Sequence, residues 1–122
     1  MIYAETKLSV GDNSGAKVLK CIKVFRNSKS SGAKPLSLIV GSVRKIRSNK
    51  KIIKGQISKG LLVRGKKNIQ RNTGLSIKFI DNSVVLVDLK GLPIGSRLIG
   101  PMYKELRSKN YPKVFALAKT LI

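Results

Sequence analysis

The side chains of this chain that could do chemistry are almost all cations, and they come in clusters. Arg44, Lys45, Arg47, Lys50 and Lys51 put five positive charges into eight residues, with Lys54 just beyond. Arg64, Lys66, Lys67 and Arg71 form a second group, and Lys23 interrupts an apolar stretch upstream. A guanidinium is a planar fork that pairs bidentately with a phosphate or a base edge, whereas an ammonium acts as a point charge. Arg64 and Arg71 are therefore the expected bidentate contacts, with the lysines around them supplying charge. On that reading, Arg64→Ala weakens anion binding and leaves the fold intact.

Other chemistries are poorly provided for. Histidine is absent, so a nucleophile backed by imidazole and any His metal site are excluded within the chain. The lone Cys21 excludes an internal disulfide and reads as a small residue on the core side of a strand. The five acids, Glu5, Asp12, Asp81, Asp88 and Glu105, are scattered, and each has a plain structural role. Asp12 and Asp81 sit in turns, and Glu105 stands four residues before Lys109 on a short helix. An enzyme is not expected, and no cofactor or metal is implied.

The totals point to a polyanionic partner. Lys and Arg number 26 against five acids, a net charge of +21 over 122 residues. Self-repulsion at that charge works against a compact state until a polyanion neutralises it, and counterion release on phosphate binding rewards such an imbalance. No apolar run approaches the roughly 18 residues of a spanning helix, and no basic amphipathic helix stands out, so nucleic acid is expected rather than a membrane. After Phe25 the basic loops at 26–35, 44–54 and 64–71 contain no aromatic residue. Base stacking is then a minor mode, and phosphate and shape recognition of folded RNA is the better fit.

The elements that must hold these cations read as strands. With 42% hydrophobic residues, no Trp, three Phe and three Tyr, the core is built from Ile, Leu and Val. Residues 60–63, 75–79 and 84–87 are three short apolar runs bounded by Gly, Asn and Asp, the pattern of buried strands separated by turns. Upstream, 6–10 is a first strand, 11–15 (GDNSG) a turn, and 17–25 a second strand. In that second strand Ile22 and Val24 are expected to face one way and Lys23 the other, one side dry and one cationic. Residues 26–35 read as a hairpin tip that orders on RNA, and 36–47 as a long strand with Gly41 at a bend. After an irregular connector, Pro101 opens a short helix over 102–109, and Pro112 forbids its continuation. Residues 114–121 suit a strand or a helical turn equally.

Three segments together resemble the large-subunit ribosomal protein fourteen family. They are Leu8-Ser9-Val10-Gly11-Asp12-Asn13-Ser14-Gly15-Ala16-Lys17 with Cys21-Ile22; Gly60-Leu61-Leu62-Val63-Arg64 followed by Gly74, Phe79, Asn82 and Val85-Leu86; and Pro93-Ile94-Gly95-Ser96-Arg97-Leu98-Ile99-Gly100-Pro101 running into Glu105-Leu106-Arg107. The resemblance spans the whole chain. It departs at Thr73, where an Asp, Asn or Ser usually precedes Gly74, at Leu36-Ser37, at Ala118-Lys119-Thr120, and in the loop 26–35.

What the resemblance implies is a mainly β fold: a small five-stranded β-barrel with a projecting hairpin and short C-terminal helices. The chain is then one domain, 1–122, with the barrel over about 1–90 and a helical extension over about 91–122. It implies a structural constituent of the large ribosomal subunit that binds large-subunit rRNA and bridges to small-subunit rRNA. Neighbouring ribosomal proteins nineteen and three are the implied protein partners. Ser96 and Arg97 match the face used by a ribosome-silencing assembly factor, and Arg107 and Lys109 join them on the subunit-interface side. Abundant Lys, Ile, Asn and Ser, the high charge, Ala116-Leu117-Ala118 and a start without a leader point to a mitochondrially encoded member in the matrix. A bacterial cytoplasm or a plastid are the alternatives, and a free-standing RNA-binding barrel or RNA chaperone acting in trans is the alternative function.

Overall fold

The computed structural model describes residues 2–25, 37–47, 52–108 and 111–122. Among them run seven strands: β1 (Lys7–Val10), β2 (Ala16–Val24), β3 (Leu38–Ile46), β4 (Ile57–Arg64), β5 (Ile69–Gln70), β6 (Ser76–Ile77) and β7 (Ser83–Val87). A 3-10 helix (Lys104–Ser108) and one short α-helix, α1 (Pro112–Leu117), follow. Strands β1-β2-β3-β4-β7 close into a barrel, antiparallel at every seam except β1 with β7, which is parallel. Closure removes the free edges that would otherwise recruit further strands. The mainly β architecture and the five-stranded barrel implied by the resemblance are what the chain forms.

Two apolar clusters explain which strands alternate and which do not. Inside the barrel lie Leu8, Leu19, Cys21, Ile39, Val43, Leu62, Val84 and Leu86, with Ile2 and Ile52 at its ends. In β1 to β3 these inward residues alternate with outward ones that are mostly polar, Lys7, Ser9, Lys20 and Ser42 among them, as strands with one wet face do. β4 and β7 are covered on both faces. Their outward residues Leu61, Val63, Val85 and Val87 pack against Leu98, Met102 and Val114 of the C-terminal extension. That second burial is why 61–63 and 84–87 read as unbroken apolar runs. Fully burying each such side chain contributes about 1.5–3 kcal/mol.

The β2–β3 seam is irregular. Cys21 pairs with Gly41 but Lys23 with Val40, so Ile22 is an extra residue; Lys17 is extra between Ala16 and Val18, and Arg44 between Val43 and Lys45. Such bulges bend a strand and re-aim its side chains. The expected one-sided pairing of Ile22 and Val24 fails here: Ile22 is 49% exposed, and Lys23 lies opposite the outward Val40. Gly41 fits the bulge because a Cβ there would stand 2.6 Å from the Lys20 carbonyl oxygen and 2.7 Å from Leu19 Cγ.

Two further expectations change. The run 75–79 is not a barrel strand: only Ser76–Ile77 pairs, with Ile69–Gln70 of its own loop, and Ile80 is 94% exposed. Phe79 instead meets the buried Tyr103 edge-on, ring centroids 4.8 Å apart. The helix after Pro101 is a 3-10 turn that starts only at Lys104, since Met102 is taken up by the tail, its N–H bonding the Thr120 carbonyl and its carbonyl the Ile122 N–H. The 3-10 helix stops at Ser108 and does not continue through Pro112, which itself begins α1, where a first-turn proline gives up no helical hydrogen bond. The segment 114–121 thus resolves as a helical turn followed by a chain end paired beside Met102. The hairpin tip at 26–35 lies outside the described residues.

Candidate nucleic-acid interface

Among the described residues, only the start of β3, at Leu38, is covered on the outer face of β1–β2–β3, and cations stand on the rest. Lys23, Arg44, Lys45 and Arg47 are exposed, as is Lys54 in the turn before β4. The register adds two residues that the sequence reading passed over. Lys7 on β1 lies directly opposite Lys20 on β2, and Lys20 opposite Ser42 on β3. Their signal was the strand alternation itself, since each flanks an inward residue, Leu8 or Leu19. Lys50 and Lys51 fall outside the described residues.

Arg64 and Arg71 do not extend from the molecule as expected. The Arg64 side chain is only 11% exposed; it donates to the Asp81 carboxylate at 3.3 Å and to the Ile99 carbonyl at 2.9 Å. Gly100, at φ 87°, leaves the space that this guanidinium fills, where a Cβ would clash with it. Arg71, 14% exposed, grips both oxygens of Glu105 at 2.7 and 3.2 Å and donates to the Ile122 carbonyl. A guanidinium already committed to a carboxylate has little to offer a phosphate, so both arginines are struts of the fold. With these contacts, Arg64→Ala is expected to weaken the fold rather than spare it. Glu105 is thereby a partner of Arg71; the expected pairing with Lys109 falls outside the described residues. Burial raises the Glu105 pKa most, but the Arg71 hydrogen bonds, a backbone hydrogen bond and the charges of Arg71 and Lys104 together outweigh it, and the carboxyl ends below its ordinary value.

Lys66 and Lys67 are exposed beside Arg64, and the Lys66 backbone N–H is held by the Asn82 side chain at 2.8 Å. At the chain's far end, Arg107 is exposed and lies 5.9 Å from the Phe115 ring centre, a cation–π distance.

The 11–15 turn organises a second surface. Buried Asp12 accepts from the Ser14 N–H (3.1 Å), the Ser14 hydroxyl (2.6 Å) and the Leu86 N–H of β7 (3.0 Å). Burial nevertheless raises its pKa above the usual carboxylate value. Next to it, Asn13 Oδ1 accepts from the Ser96 and Arg97 N–H groups at 2.8 and 3.0 Å, and its amide donates to the Ser96 hydroxyl at 2.9 Å. Ser96 and Arg97 are thus presented to solvent on a loop fixed from below. Asn13 in this positioning role was missed, since nothing in a local turn motif reveals a partner 83 residues away.

Cys21 is buried in the barrel, and burial pushes its thiol pKa up, which keeps it inert. Among the described residues no three acid or Cys side chains gather as a metal site requires.

A closed barrel with one covered and one basic face is compatible with many RNA-binding roles, so the family matters. The family described as ribosomal protein L14p/L23e matches residues 1–122, the full chain. The chain belongs to the ribosomal protein L14p/L23e family, whose members are structural, rRNA-binding constituents of the large ribosomal subunit.

Proposed function

We propose that the bare face of β1–β3 lies on large-subunit rRNA, and that the side bearing Ser96, Arg97 and Arg107 faces the small subunit and contributes to a bridge with its rRNA. The observation that carries this is the asymmetry of the barrel. The outer faces of β4 and β7 are sealed by Leu98, Met102 and Val114, while that of β1–β3 is open and basic. Barrel (about 1–90) and extension (about 91–122) then act as one domain, because neither face of β4 and β7 is complete without both.

The neighbours follow from other surfaces. Exposed Ile57, Leu89 and Ile94 flank an apolar groove of about 360 Å³ beside Val40 and Val87, which suits ribosomal proteins nineteen and three as packing partners. The Asn13-held Ser96–Arg97 loop suits a ribosome-silencing assembly factor. The high charge and the abundance of Lys and Ile favour a mitochondrial ribosome over a bacterial or plastid one. Recovery of the protein in cytosolic rather than organellar ribosomes on fractionation would remove that assignment.

The test is a sucrose gradient of native lysate at low and at roughly 0.5 M salt, with the protein and both rRNAs quantified, since scattered phosphate contacts dissociate steeply over that range. One copy per large subunit at both salts is expected. A protein running free of subunits, or leaving them at the higher salt, would favour an RNA binder acting in trans.

A further inference from the structure

We infer that the outer face of β1–β3 holds a phosphate clamp, Lys7 and Lys20 with the Ser42 hydroxyl beside them, that grips the backbone of bound RNA. The inference rests on the rRNA-binding reading above and adds to it the place where the barrel takes hold.

The three residues form one row across three strands: Lys7 opposite Lys20, and Lys20 opposite Ser42. Side chains directly opposite in antiparallel strands have Cβ atoms about 4.5–5.5 Å apart, and like charges there destabilise the sheet. Neither lysine has a carboxylate within ion-pair distance among the described residues. The two ion pairs there join Arg64 to Asp81 and Arg71 to Glu105, and Asp12 is buried on the far side of the turn. An anion between the two ammonium groups turns this repulsion into attraction, and the Ser42 hydroxyl adds a neutral donor.

The bulges of the β2–β3 seam extend the row into a track. Residues three apart on a regular strand point to opposite faces. With Ile22 inserted, Lys23 comes to the same outer side as Lys20. With Arg44 inserted, Lys45 comes opposite Val18, which shares the outer face with Lys20. The clamp is thus flanked by a cation in each direction along the strands, as a backbone carrying a phosphate at every nucleotide requires. Phe25, just beyond β2, is already engaged 5.6 Å from the Lys59 ammonium.

The experiment compares the wild type with Lys7→Met/Lys20→Met, and with Lys113→Met/Lys119→Met as a control that removes the same charge from the C-terminal extension. Each protein is titrated with a large-subunit rRNA transcript over a range of salt. The clamp variant is expected to bind at least tenfold more weakly, with a slope of log affinity against log salt shallower by about 2, and the control to change much less. Without RNA, the clamp variant should melt about 2 °C higher, because a repulsive pair is gone. Lys7→Gln/Lys20→Gln replaces it if the Met pair does not fold. Equal losses in clamp and control variants, or an unchanged slope, would overturn the clamp while leaving rRNA binding in place. A wild type that does not bind the transcript would overturn the underlying reading and the clamp with it.

Discussion

Arg64 lies 3.3 Å from Asp81 and 2.9 Å from the Ile99 carbonyl, so one side chain ties the end of β4 to the turn before β7 and to the connector of the C-terminal extension. Its Nε is buried without a partner, which leaves the guanidinium dependent on these two contacts. Arg64→Ala should lower stability by about 1–2 kcal/mol in urea denaturation, since it removes the bonds to the Ile99 carbonyl and to Asp81, which keeps only the Ser9 hydroxyl and solvent. The folded variant should keep the wild-type salt dependence of RNA binding. A stable variant with a shallower salt slope would return Arg64 to the role of phosphate contact.

Asp12 holds β7 to the 11–15 turn through the Leu86 N–H, and both the residue and that strand are buried. Asp12→Ala leaves that amide and the Ser14 groups unsatisfied, and should cost about 3 kcal/mol. Asp12→Asn keeps the shape but aims an NH₂ at a donor on one side, and should cost about 1–2 kcal/mol. Equilibrium unfolding of both variants checks the order; equal stability of the two would mean that the Leu86 bond contributes nothing.

Acid should loosen the latch between Arg71 and Glu105. Glu105 titrates below its unfolded value of 4.5 in the folded chain, so its stabilisation is complete above about that pH and is lost as pH falls through the lowered folded value. Its side chain is 40% exposed, and screening keeps the effect to about 0.5 kcal/mol. Glu105→Gln should therefore be slightly less stable than wild type at pH 7, with the gap closing below pH 4.5. Asp12, raised by burial, contributes in the opposite sense, its protonation favouring the fold as pH falls. Denaturation midpoints of both proteins across pH 3–7 decide it; a gap that widened in acid would contradict the latch.

Much of this fold is legible in the sequence because its causes are local. The runs at 60–63 and 84–87 announce strands buried on both faces, and the alternation of 6–10 announces a strand with one wet face. The GDNSG turn is readable for the same reason. What the sequence hides is set by distant partners or by register. The run 75–79 has the composition of a core strand, but the barrel closes through β1 and β7 without it. Arg64 and Arg71 look like free cations until Asp81, Ile99 and Glu105 are brought beside them. Lys7 and Lys20 look like ordinary strand lysines until the β1–β2 register sets them face to face, and the bulge at Ile22 reverses the parity that would have hidden Lys23.

Asn13 should matter to one loop and little else. Asn13→Ala removes three hydrogen bonds to Ser96 and Arg97. Amide hydrogen exchange at 96 and 97 should rise at least tenfold while the β1–β4 amides keep their protection, with about 1 kcal/mol of global stability lost. Uniform acceleration across the barrel would show instead that Asn13 supports the whole fold.

The central claim is that the open face of β1–β3 is the side that meets RNA. Ultraviolet cross-linking of intact large subunits, followed by mass spectrometry of the peptide–RNA adducts, tests it most directly. Adducts with large-subunit rRNA are predicted on peptides from β1, β2 and β3, at Lys7, Lys20, Lys23 and Lys45. Adducts confined to Lys66, Lys67 and the segment 104–122, with none from those three strands, would contradict the account.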